Sequence, residues 1–330
     1  MSLVVITDSD LGEGVEEEVL EAAGHEVRRG AGRTAADVVD AAAGAEALIV
    51  QWAPITAEIL AELPSLRFVS RLGIGVDMVD LDAATAHGVA VANTPEYCID
   101  EVVAHTLAFV LAATRGIVQH DRALRAGGWA SIATYPEAAR PSQRTVAVIG
   151  LGRIGARVAT QLAALGFRVL GVDPFADAPD GAEPARLDDA LATADIVTLH
   201  LPLTAATRHL LDGAAFARMR PGAALVNTCR GGLVDEAALL AALADGRLAG
   251  AYLDVFESEP LPATSPLRTA DRVVLSAHAA WYSPAALSEL PRQAAAQVVD
   301  FLAGKPVHSI VNPGYLTKAP DLEEGTWKTN

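Results

Sequence analysis

The sequence is short of positively charged residues. It holds 25 Lys and Arg against 41 Asp and Glu, so its formal net charge is −16 at pH 7. Nucleic-acid binding depends on clustered positive charge that neutralises phosphates, and no basic run is present. The composition therefore argues against a nucleic-acid partner.

Cysteine and long hydrophobic runs are also scarce. The two cysteines, Cys98 and Cys229, show no metal-ligand spacing and suit a reducing compartment. The apolar segment HTLAFVLAATRGIV is bounded by charges and is too short to span a bilayer. The segment MSLVVITD enters a strand with neither a basic region nor a cleavage site. We therefore expect a cytoplasmic protein with no membrane partner and no metal site.

What the sequence does contain is a repeated alternation of short apolar strands and helical segments. The alternation runs through residues 3–95 and resumes over residues 144–278. Such repeats predict parallel sheets covered by helices on both faces. At 330 residues the chain is long enough for two domains, so we predict an α/β fold of two doubly wound parallel-sheet domains. One long helix, from Ile99 to about Leu124, is predicted to lead into the second domain.

The stretch from Arg144 to Asp173 carries the strongest motif. A buried strand is followed by G-x-G-x-x-G (Gly150, Gly152 and Gly155), a helix, and a second strand that ends in Asp173. The glycines permit a tight turn and close approach to a pyrophosphate, whose charge the N-terminus of the helix favours. Asp173 is placed to accept hydrogen bonds from a ribose hydroxyl, which favours NAD over NADP. This stretch predicts a Rossmann domain that binds NAD.

Three titratable residues, Arg230, Glu259 and His278, each follow a different strand of the second domain. Ligands of open α/β sheets bind outside the carboxyl ends of the strands, so these residues converge near the glycine turn. Arg230 offers a planar fork for a carboxylate, His278 can exchange a proton near neutral pH, and Glu259 can orient its ring. Each one alone has an ordinary structural explanation as an ion pair, a solvated acid or a hydrogen-bonded histidine. Together, beside a dinucleotide turn, they favour hydride transfer with acid–base catalysis.

The loop RLGIGVDMVD, residues 71–80, has two interpretations. Its two glycines flank Ile74 and expose backbone amides at the end of a strand, where they could bind a carboxylate. The same glycines also suit a strand-to-helix turn that needs their dihedral angles. Spacing alone does not separate the two.

Six motifs spread over nearly the whole chain resemble one family: RLGIGVDMVD, VIGLGRIG, LHLPLTAATRHL, LVNTCRGGLVDEAAL, LDVFESEP and SAHAAWYS. They are similar to those of the D-isomer-specific 2-hydroxyacid dehydrogenases, and RGGLVDE, ESEP and HAAWYS resemble the C-terminal binding protein branch. The resemblance implies NAD-dependent interconversion of a 2-oxo acid and a D-2-hydroxy acid, with Arg230, Glu259 and His278 as catalytic residues. Two alternatives stay open: an NADH-responsive interaction protein of the corepressor type, and a formate or phosphite dehydrogenase.

The resemblance also implies roles for further residues. The expected substrate contacts are Arg71, the amides of Ile74 and Gly75, and Trp281. The expected cofactor contacts, besides the three glycines, are Thr106, Arg153, Ile154, Asp173, Pro202, Thr207, Cys229 and Asp254. Members of the family dimerise through the cofactor domain, so a homodimer is expected.

The resemblance makes the first domain discontinuous. A flavodoxin-like substrate domain is expected from residues 1–98 plus 284–330, and the NAD-binding Rossmann domain from residues 99–283. Ser283 and Pro284 are typical of the start of a last helix, which should reach Ala303. Pro291 is expected to kink or restart that helix.

Overall fold

The computed structural model describes residues 1–11, 14–30, 32–129, 135 and 138–316. The described chain divides into two compact units, one formed by residues 1–98 and the segment from Tyr282 onward, the other by Ile99 to Trp281. Every strand pair in both units is parallel, so the predicted class of two parallel-sheet α/β domains is confirmed. Residues 317–330, assigned from the sequence to the first domain, lie outside the described residues.

The first unit contains a five-stranded sheet in the order β2-β1-β3-β4-β5. Its strands are β1 (Leu3–Asp8), β2 (Glu26–Arg29), β3 (Ala47–Val50), β4 (Phe68–Arg71) and β5 (Ala90–Ala92). Its first four helices are α1 (Val15–Ala22), α2 (Ala35–Ala42), α3 (Ala57–Glu62) and α4 (Leu81–Ala86). Every residue of β3, β4 and β5 is buried, as expected for strands covered on both faces. The strand order is the flavodoxin-like order that was predicted.

The second unit contains a seven-stranded sheet in the order β12-β11-β10-β9-β6-β7-β8. Its strands are β6 (Thr145–Ile149), β7 (Arg168–Val172), β8 (Ala182–Pro184), β9 (Ile196–Leu199), β10 (Ala223–Asn227), β11 (Leu248–Leu253) and β12 (Val273–Leu275). Its helices are α5 (Ile99–Arg115), α6 (Ile117–Arg125), α7 (Arg153–Ala164), α8 (Leu187–Thr193), α9 (Gly213–Arg218) and α10 (Glu236–Ala244). The direction of winding reverses between β6 and β9, and such switch points are where open α/β sheets bind ligands.

The core of the second unit consists of two apolar clusters. Leu225 and Leu253 belong to one cluster, whereas their sequence neighbours Val226 and Tyr252 belong to the other. Side chains alternate across a strand, so consecutive residues of β10 and β11 reach opposite faces of the sheet. The sheet is thus held between two layers, and its strand ends carry the loops described below.

The long helix predicted from Ile99 is two helices. Gly116 separates α5 from α6 with φ +62, in the left-handed region, and the helices are bent by 65°. A Cβ built at Gly116 would overlap the ring of Tyr135, so the break is fixed by packing. In the described chain no single helix is long and apolar enough to cross a membrane, although this bent pair meets the length and composition criteria together.

Helix α11 (Pro284–Leu302) returns the chain to the first unit. Its cap is the predicted one, since the amide of Ala286 donates to the Ser283 hydroxyl over 3.0 Å. The hydroxyl of Ser70 on β4 donates to the carbonyl of Ala294 over 3.0 Å, which ties the helix to the sheet. Of the kink or restart predicted at Pro291, the restart is wrong, because the helix continues through that residue and buries it, and the kink stays a prediction. Packing against the sheet offsets the hydrogen bond that proline cannot donate.

Candidate active site

The glycine turn joins β6 to α7 at the switch point of the second unit. Gly150 has φ +95, and a Cβ there would collide with the carbonyl of His200; a Cβ at Gly155 would collide with the carbonyl of Gly150. These two glycines are therefore required by packing. A Cβ at Gly152 would meet no atom within 4 Å, so this glycine faces open space at the N-cap of α7. The amides of the first turn of α7, which begins at Arg153, provide the positive end of the helix dipole.

Asp173 follows β7 and holds the glycine turn in place. Its Oδ2 accepts a hydrogen bond from the Leu151 amide over 2.7 Å, and its Oδ1 accepts bonds from the amides of Phe175 and Ala176 over 2.8 and 3.1 Å. An ionised carboxylate has about four acceptor positions, so one is left for a ribose hydroxyl. An open turn with an acceptor beside it fits the ribose and pyrophosphate of a dinucleotide such as NAD.

His200, directly after β9, was not singled out from the sequence. Its backbone carbonyl lies against Gly150 and its Cβ against Gly155, and its ring Nε2 is 3.0 Å from the Thr198 hydroxyl. Burial lowers the pKa of His200 to about 3, so the ring is neutral at physiological pH. The only feature of the sequence that could have indicated a role for His200 was its position at the end of a strand.

The turns after β9 and β10 are linked to each other. The Thr207 hydroxyl donates to the Pro202 carbonyl over 2.7 Å and is fully buried, so Thr207 closes the turn after β9. The Cys229 thiol donates to the Leu201 carbonyl over 2.7 Å. Strands β10, β9 and β6 are consecutive in the sheet, and the glycine turn follows β6. The predicted cofactor residues Pro202, Thr207 and Cys229 therefore lie together, next to the glycine turn.

Arg230 lies in a constrained turn after β10. Its backbone carbonyl accepts a bond from the Asn227 side-chain amide over 2.8 Å, and its Nη1 donates to the Cys229 carbonyl over 2.8 Å. A Cβ at Gly231 would collide with the carbonyl of Phe256. The turn that carries Arg230 is thus packed directly on the loop that carries Glu259.

Glu259 and His278 form a direct pair. The Nδ1 of His278 lies 2.6 Å from the Glu259 Oε2, and both side chains are 27% exposed. The other carboxylate oxygen of Glu259 accepts a bond from the Phe256 amide over 2.8 Å. A carboxylate only accepts, so Nδ1 carries the proton of this hydrogen bond, which fixes the orientation of the ring.

His278 lies in a strained turn that Asp254 stabilises. The φ of His278 is +51, and its amide donates to the Asp254 carbonyl over 2.7 Å. The Asp254 carboxylate is buried and accepts bonds from the amides of Ala279 and Ala280 over 2.8 and 2.9 Å. Trp281, a predicted substrate contact, follows this turn and is partly exposed. Asp254, predicted as a cofactor contact, is thus bonded to the turn that carries His278.

Thr106, on α5, is fully buried. Its hydroxyl donates to the Val102 carbonyl over 2.8 Å and lies 2.8 Å from the Thr228 hydroxyl. The structure places this predicted cofactor contact beneath the strand end that leads to Arg230.

The predicted carboxylate-binding loop belongs to the first unit. Arg71 is the buried last residue of β4, and its guanidinium lies over the ring of Trp52 at 5.8 Å. The amide of Gly73 donates to the Thr94 hydroxyl over 2.7 Å, and the Ile74 carbonyl accepts a bond from Asn93 over 2.7 Å. These bonds fix the loop, and Ile74 and Gly75 remain partly exposed at its tip.

Within the second unit the imidazole of His278 is paired with the carboxylate of Glu259, and the turn of Arg230 packs on the loop of that carboxylate. The glycine turn and the start of α7 belong to the same unit. Across the described ranges no group of three or more His, Cys, Asp or Glu side chains is placed to hold a metal ion. The arrangement can bind an anionic group, and it can hold or release a proton at the Nε2 of His278.

Comparison with known proteins gives one consistent family. Residues 107–280 match the family model described as D-isomer specific 2-hydroxyacid dehydrogenase, NAD binding domain. The D-3-phosphoglycerate dehydrogenase of Mycobacterium tuberculosis is 42% identical over 275 residues, which are 82% of this chain and 52% of that protein. The chain thus spans about half the length of that relative.

Two further comparisons cover most of both chains. The glyoxylate reductase of Korarchaeum cryptofilum is 37% identical over 266 residues, 78% of this chain and 80% of that protein. The NAD-dependent formate dehydrogenase of Staphylococcus aureus, solved in complex with NAD, has a TM-score of 0.84 and 27% identity, covering 93% of this chain and 97% of that one.

Proposed function

Because the chain belongs to the D-isomer-specific 2-hydroxyacid dehydrogenase family, we propose that it is an NAD(H)-dependent oxidoreductase that interconverts a 2-oxo acid and a D-2-hydroxy acid. The observation that carries the proposal is the 2.6 Å pair of His278 and Glu259, next to the turn of Arg230 in the unit that holds the glycine turn.

The cofactor is assigned to the glycine turn. The amides at the start of α7 would face its pyrophosphate, and the carboxylate of Asp173 would accept a hydrogen bond from its ribose. A negative charge at Asp173 disfavours the 2′-phosphate of NADP, which supports NAD as the preferred form. A bound nicotinamide supplies the hydride in reduction and accepts it in oxidation.

The proton is assigned to the Nε2 of His278. In the reducing direction, protonated His278 would donate this proton to the carbonyl oxygen as it becomes a hydroxyl, and in oxidation the neutral ring would take it back. The carboxylate of Glu259 holds Nδ1 and thereby stabilises the charged ring and fixes its orientation. A general acid of this kind contributes about 10²- to 10⁴-fold in rate.

The carboxylate of the substrate is assigned to Arg230, whose fork can bind both oxygens. The amides of Ile74 and Gly75 are proposed as donors to a carboxylate, and Arg71 and Trp281 as substrate contacts. Support for the loop comes from its fixed backbone and its partly exposed tip. The substrate class is therefore a small 2-oxo or 2-hydroxy carboxylate.

The test is the consumption of NADH, and separately of NADPH, with 2-oxo acids of graded size and charge. We expect turnover with at least one 2-oxo acid, preference for NADH, and a loss of about 10²-fold or more in His278→Ala with NADH binding unchanged. His87→Ala, which changes an exposed histidine of the first unit, is the matched control and should keep full activity. Turnover of formate alone, or unimpaired His278→Ala, would contradict the proposal.

We further propose a homodimer formed through the second unit, in a cytoplasmic setting. The dimer is supported by the exposed apolar residues Ile117, Leu124 and Trp129 on α6 and just after it. The setting is supported by the two cysteines, Cys98 and Cys229, which are not joined in a disulfide.

Kinship to the C-terminal binding protein branch is supported by the segment HAAWYS, which starts at His278. An NADH-responsive interaction role, the second candidate, rests on that segment together with RGGLVDE and ESEP. A pull-down with and without NADH tests it, and partner capture that depends on NADH in a chain without 2-oxo acid turnover would favour it.

A further inference from the structure

Two consecutive residues of α5, His105 and Thr106, each bond to the end of a different strand. The His105 Nε2 lies 3.0 Å from the hydroxyl of Ser276, which follows β12. The Thr106 hydroxyl lies 2.8 Å from the hydroxyl of Thr228, which follows β10. Adjacent residues on a helix point in directions about 100° apart, so one turn of α5 reaches two separate strand ends.

The bond of His105 leads to His278 by a short chain of contacts. The Ser276 hydroxyl donates to the Asp254 Oδ1 over 2.5 Å, and Asp254 accepts the amides of Ala279 and Ala280. Asp254 is buried, and it thus bonds residues on both sides of His278. The φ of +51 at His278 is a costly conformation for a non-glycine residue, so the turn needs bonds that hold it.

The bond of Thr106 leads to Arg230 in the same way. Thr228 lies two residues before Arg230, and the side chain of the preceding Asn227 bonds both the Cys229 amide, over 3.0 Å, and the Arg230 carbonyl, over 2.8 Å. Thr106 is completely buried, so water cannot replace its hydroxyl at Thr228. The two bonds of α5 therefore fix the turns that carry the proton donor and the carboxylate anchor.

We propose that His105 and Thr106 are positioning residues that set the placement of His278 and Arg230 relative to each other. The inference rests on the proposed function for the roles of His278 and Arg230. The two residues of α5 have different effects. Thr106 acts through the turn of Arg230, which binds substrate, and His105 acts through the turn of His278, which moves the proton.

The test for Thr106 compares isosteric and conservative variants. Thr106→Val removes the hydroxyl at constant shape, and we expect KM for the 2-oxo acid to rise about tenfold while kcat stays within about twofold. Thr106→Ser restores the hydroxyl and should return KM to near the wild-type value. Thr114→Val is the matched control, because Thr114 is also buried on α5 and bonds its own helix at the Val110 carbonyl over 2.7 Å. Equal KM values in Thr106→Val and Thr114→Val would overturn this part.

The test for His105 uses His105→Phe, which keeps an aromatic ring against Phe109, and His105→Gln, which keeps a polar group near Ser276. We expect kcat to fall about tenfold in His105→Phe with KM nearly unchanged, and to recover most of its value in His105→Gln. A loss of kcat and a rise of KM together, or no recovery in His105→Gln, would overturn this part.

A readout without turnover separates the inference from the proposed function. The ring nitrogens of His278 in the unliganded protein are followed by ¹H–¹⁵N NMR, and we expect the Nδ1 signal to shift or broaden in His105→Phe but not in Thr114→Val. If the wild type turns over no 2-oxo acid, the proposed function fails and the NMR result still decides the positioning. An unchanged His278 signal in His105→Phe would overturn the role of His105.

Discussion

The carboxylate of Glu259 serves two partners at once. One oxygen accepts the Phe256 amide and fixes the loop that carries it, and the other meets the Nδ1 of His278 at 2.6 Å. In the proposed mechanism the first bond would hold the carboxylate in place before the ring becomes charged, so no reorganisation would be needed at the moment of proton transfer. Two neighbouring acids, Glu236 and Glu257, bond each other's backbone amides and hold the base of the same loop.

Replacement of this carboxylate by an amide should slow the reaction. In Glu259→Gln a side-chain NH₂ would face the Nδ1 of His278, which removes support for the charged ring. A hydrogen bond to a charged group contributes about 1.5–3 kcal/mol, so we expect kcat to fall about 10- to 150-fold. Glu257→Gln, which neutralises the carboxylate that lies 2.7 Å from the Nε2 of His209, is the control and should lose much less. Steady-state kinetics that give equal losses in both variants would contradict the assignment.

His200 makes the stability of the protein depend on pH. Its pKa in the folded state is lowered to about 3, whereas in the unfolded chain it is near 6.5. The unfolded state therefore binds a proton first, and folded-state stability is lost as the pH falls from about 6.5 toward 3.

This loss can be measured by chemical denaturation. Between pH 7 and pH 5 the single group should account for roughly 2 kcal/mol of the decrease in the free energy of unfolding. His200→Asn should remove this share of the pH dependence, although its stability at pH 7 also falls because buried atoms are lost. His87→Asn, an exposed histidine, should leave the slope unchanged. If the free energy of unfolding of His200→Asn depended on pH as steeply as that of the wild type, another group would be responsible for the pH dependence.

At the scale of secondary-structure elements, the β6–α7 turn separates two uses of glycine. Gly155 is needed for packing, because a Cβ there would collide with the carbonyl of Gly150 and come within 3.0 Å of the His200 Cβ. Gly152 is not needed for packing, because its Cβ would face open space and its φ of −67 suits any residue. The second glycine of the motif is thus kept free for a ligand that approaches the backbone.

The two alanine variants should fail in different ways. Gly155→Ala overpacks the turn and should cost about 1–3 kcal/mol, which lowers Tm by several degrees. Gly152→Ala should unfold within about 1 °C of the wild type but bind NADH at least about tenfold more weakly, because the added methyl group occupies the approach to the turn. Thermal unfolding and NADH fluorescence titration check the pair. Normal NADH affinity in Gly152→Ala would move the cofactor away from this turn.

The order of elements could be predicted because its signals are local. A buried strand, three glycines, an amphipathic helix and Asp173 follow one another within 30 residues. The break at Gly116 was missed because the apolar spacing continues across it, and its cause, the ring of Tyr135, lies 19 residues away. The edge strand β8 (Ala182–Pro184) was missed because AEP lacks strand-forming residues.

In the candidate site, too, local signals could be predicted and long-range contacts could not. Arg230, Glu259 and His278 could be placed from the sequence because each follows a strand, and strand ends meet at one sheet edge. The residues that hold these side chains in place could not be predicted. His105 and Ser276 are separated by 171 residues, and a bond between them depends on how α5 crosses the sheet. His200 acts on the glycine turn through its backbone, for which no residue type is diagnostic.

At the scale of the whole molecule, the net charge and the exposed apolar residues have opposite effects on association between copies of the chain. A net charge of −16 keeps copies apart at long range, whereas Ile117, Leu124 and Trp129 are 58%, 55% and 89% exposed. Exposed apolar residues this close in sequence are typical of an interface. They support the homodimer proposed above.

The dimer should be visible in light scattering. We expect a mass of about twice the 34.2 kDa of the chain, and Ile117→Asp combined with Leu124→Asp should lower it toward one chain. Leu165→Asp, at another exposed apolar residue of the second unit, serves as the control and should stay dimeric. A wild-type mass of 34.2 kDa would contradict the dimer.

The return of α11 to the first unit has a consequence for synthesis on the ribosome. The ring of Phe301 stacks on that of Phe68 at 4.4 Å, and Asn312 bonds the backbone of Val89 and Val91, so late residues complete an early sheet. The second unit is one uninterrupted stretch of chain and can fold as it emerges. The first unit is translated first yet is finished last, and the face of β4 stays uncovered for the time taken to make some 200 further residues, about 10–40 s at ordinary elongation rates. Over that interval the nascent chain, not the folded protein, is the species that chaperones must protect.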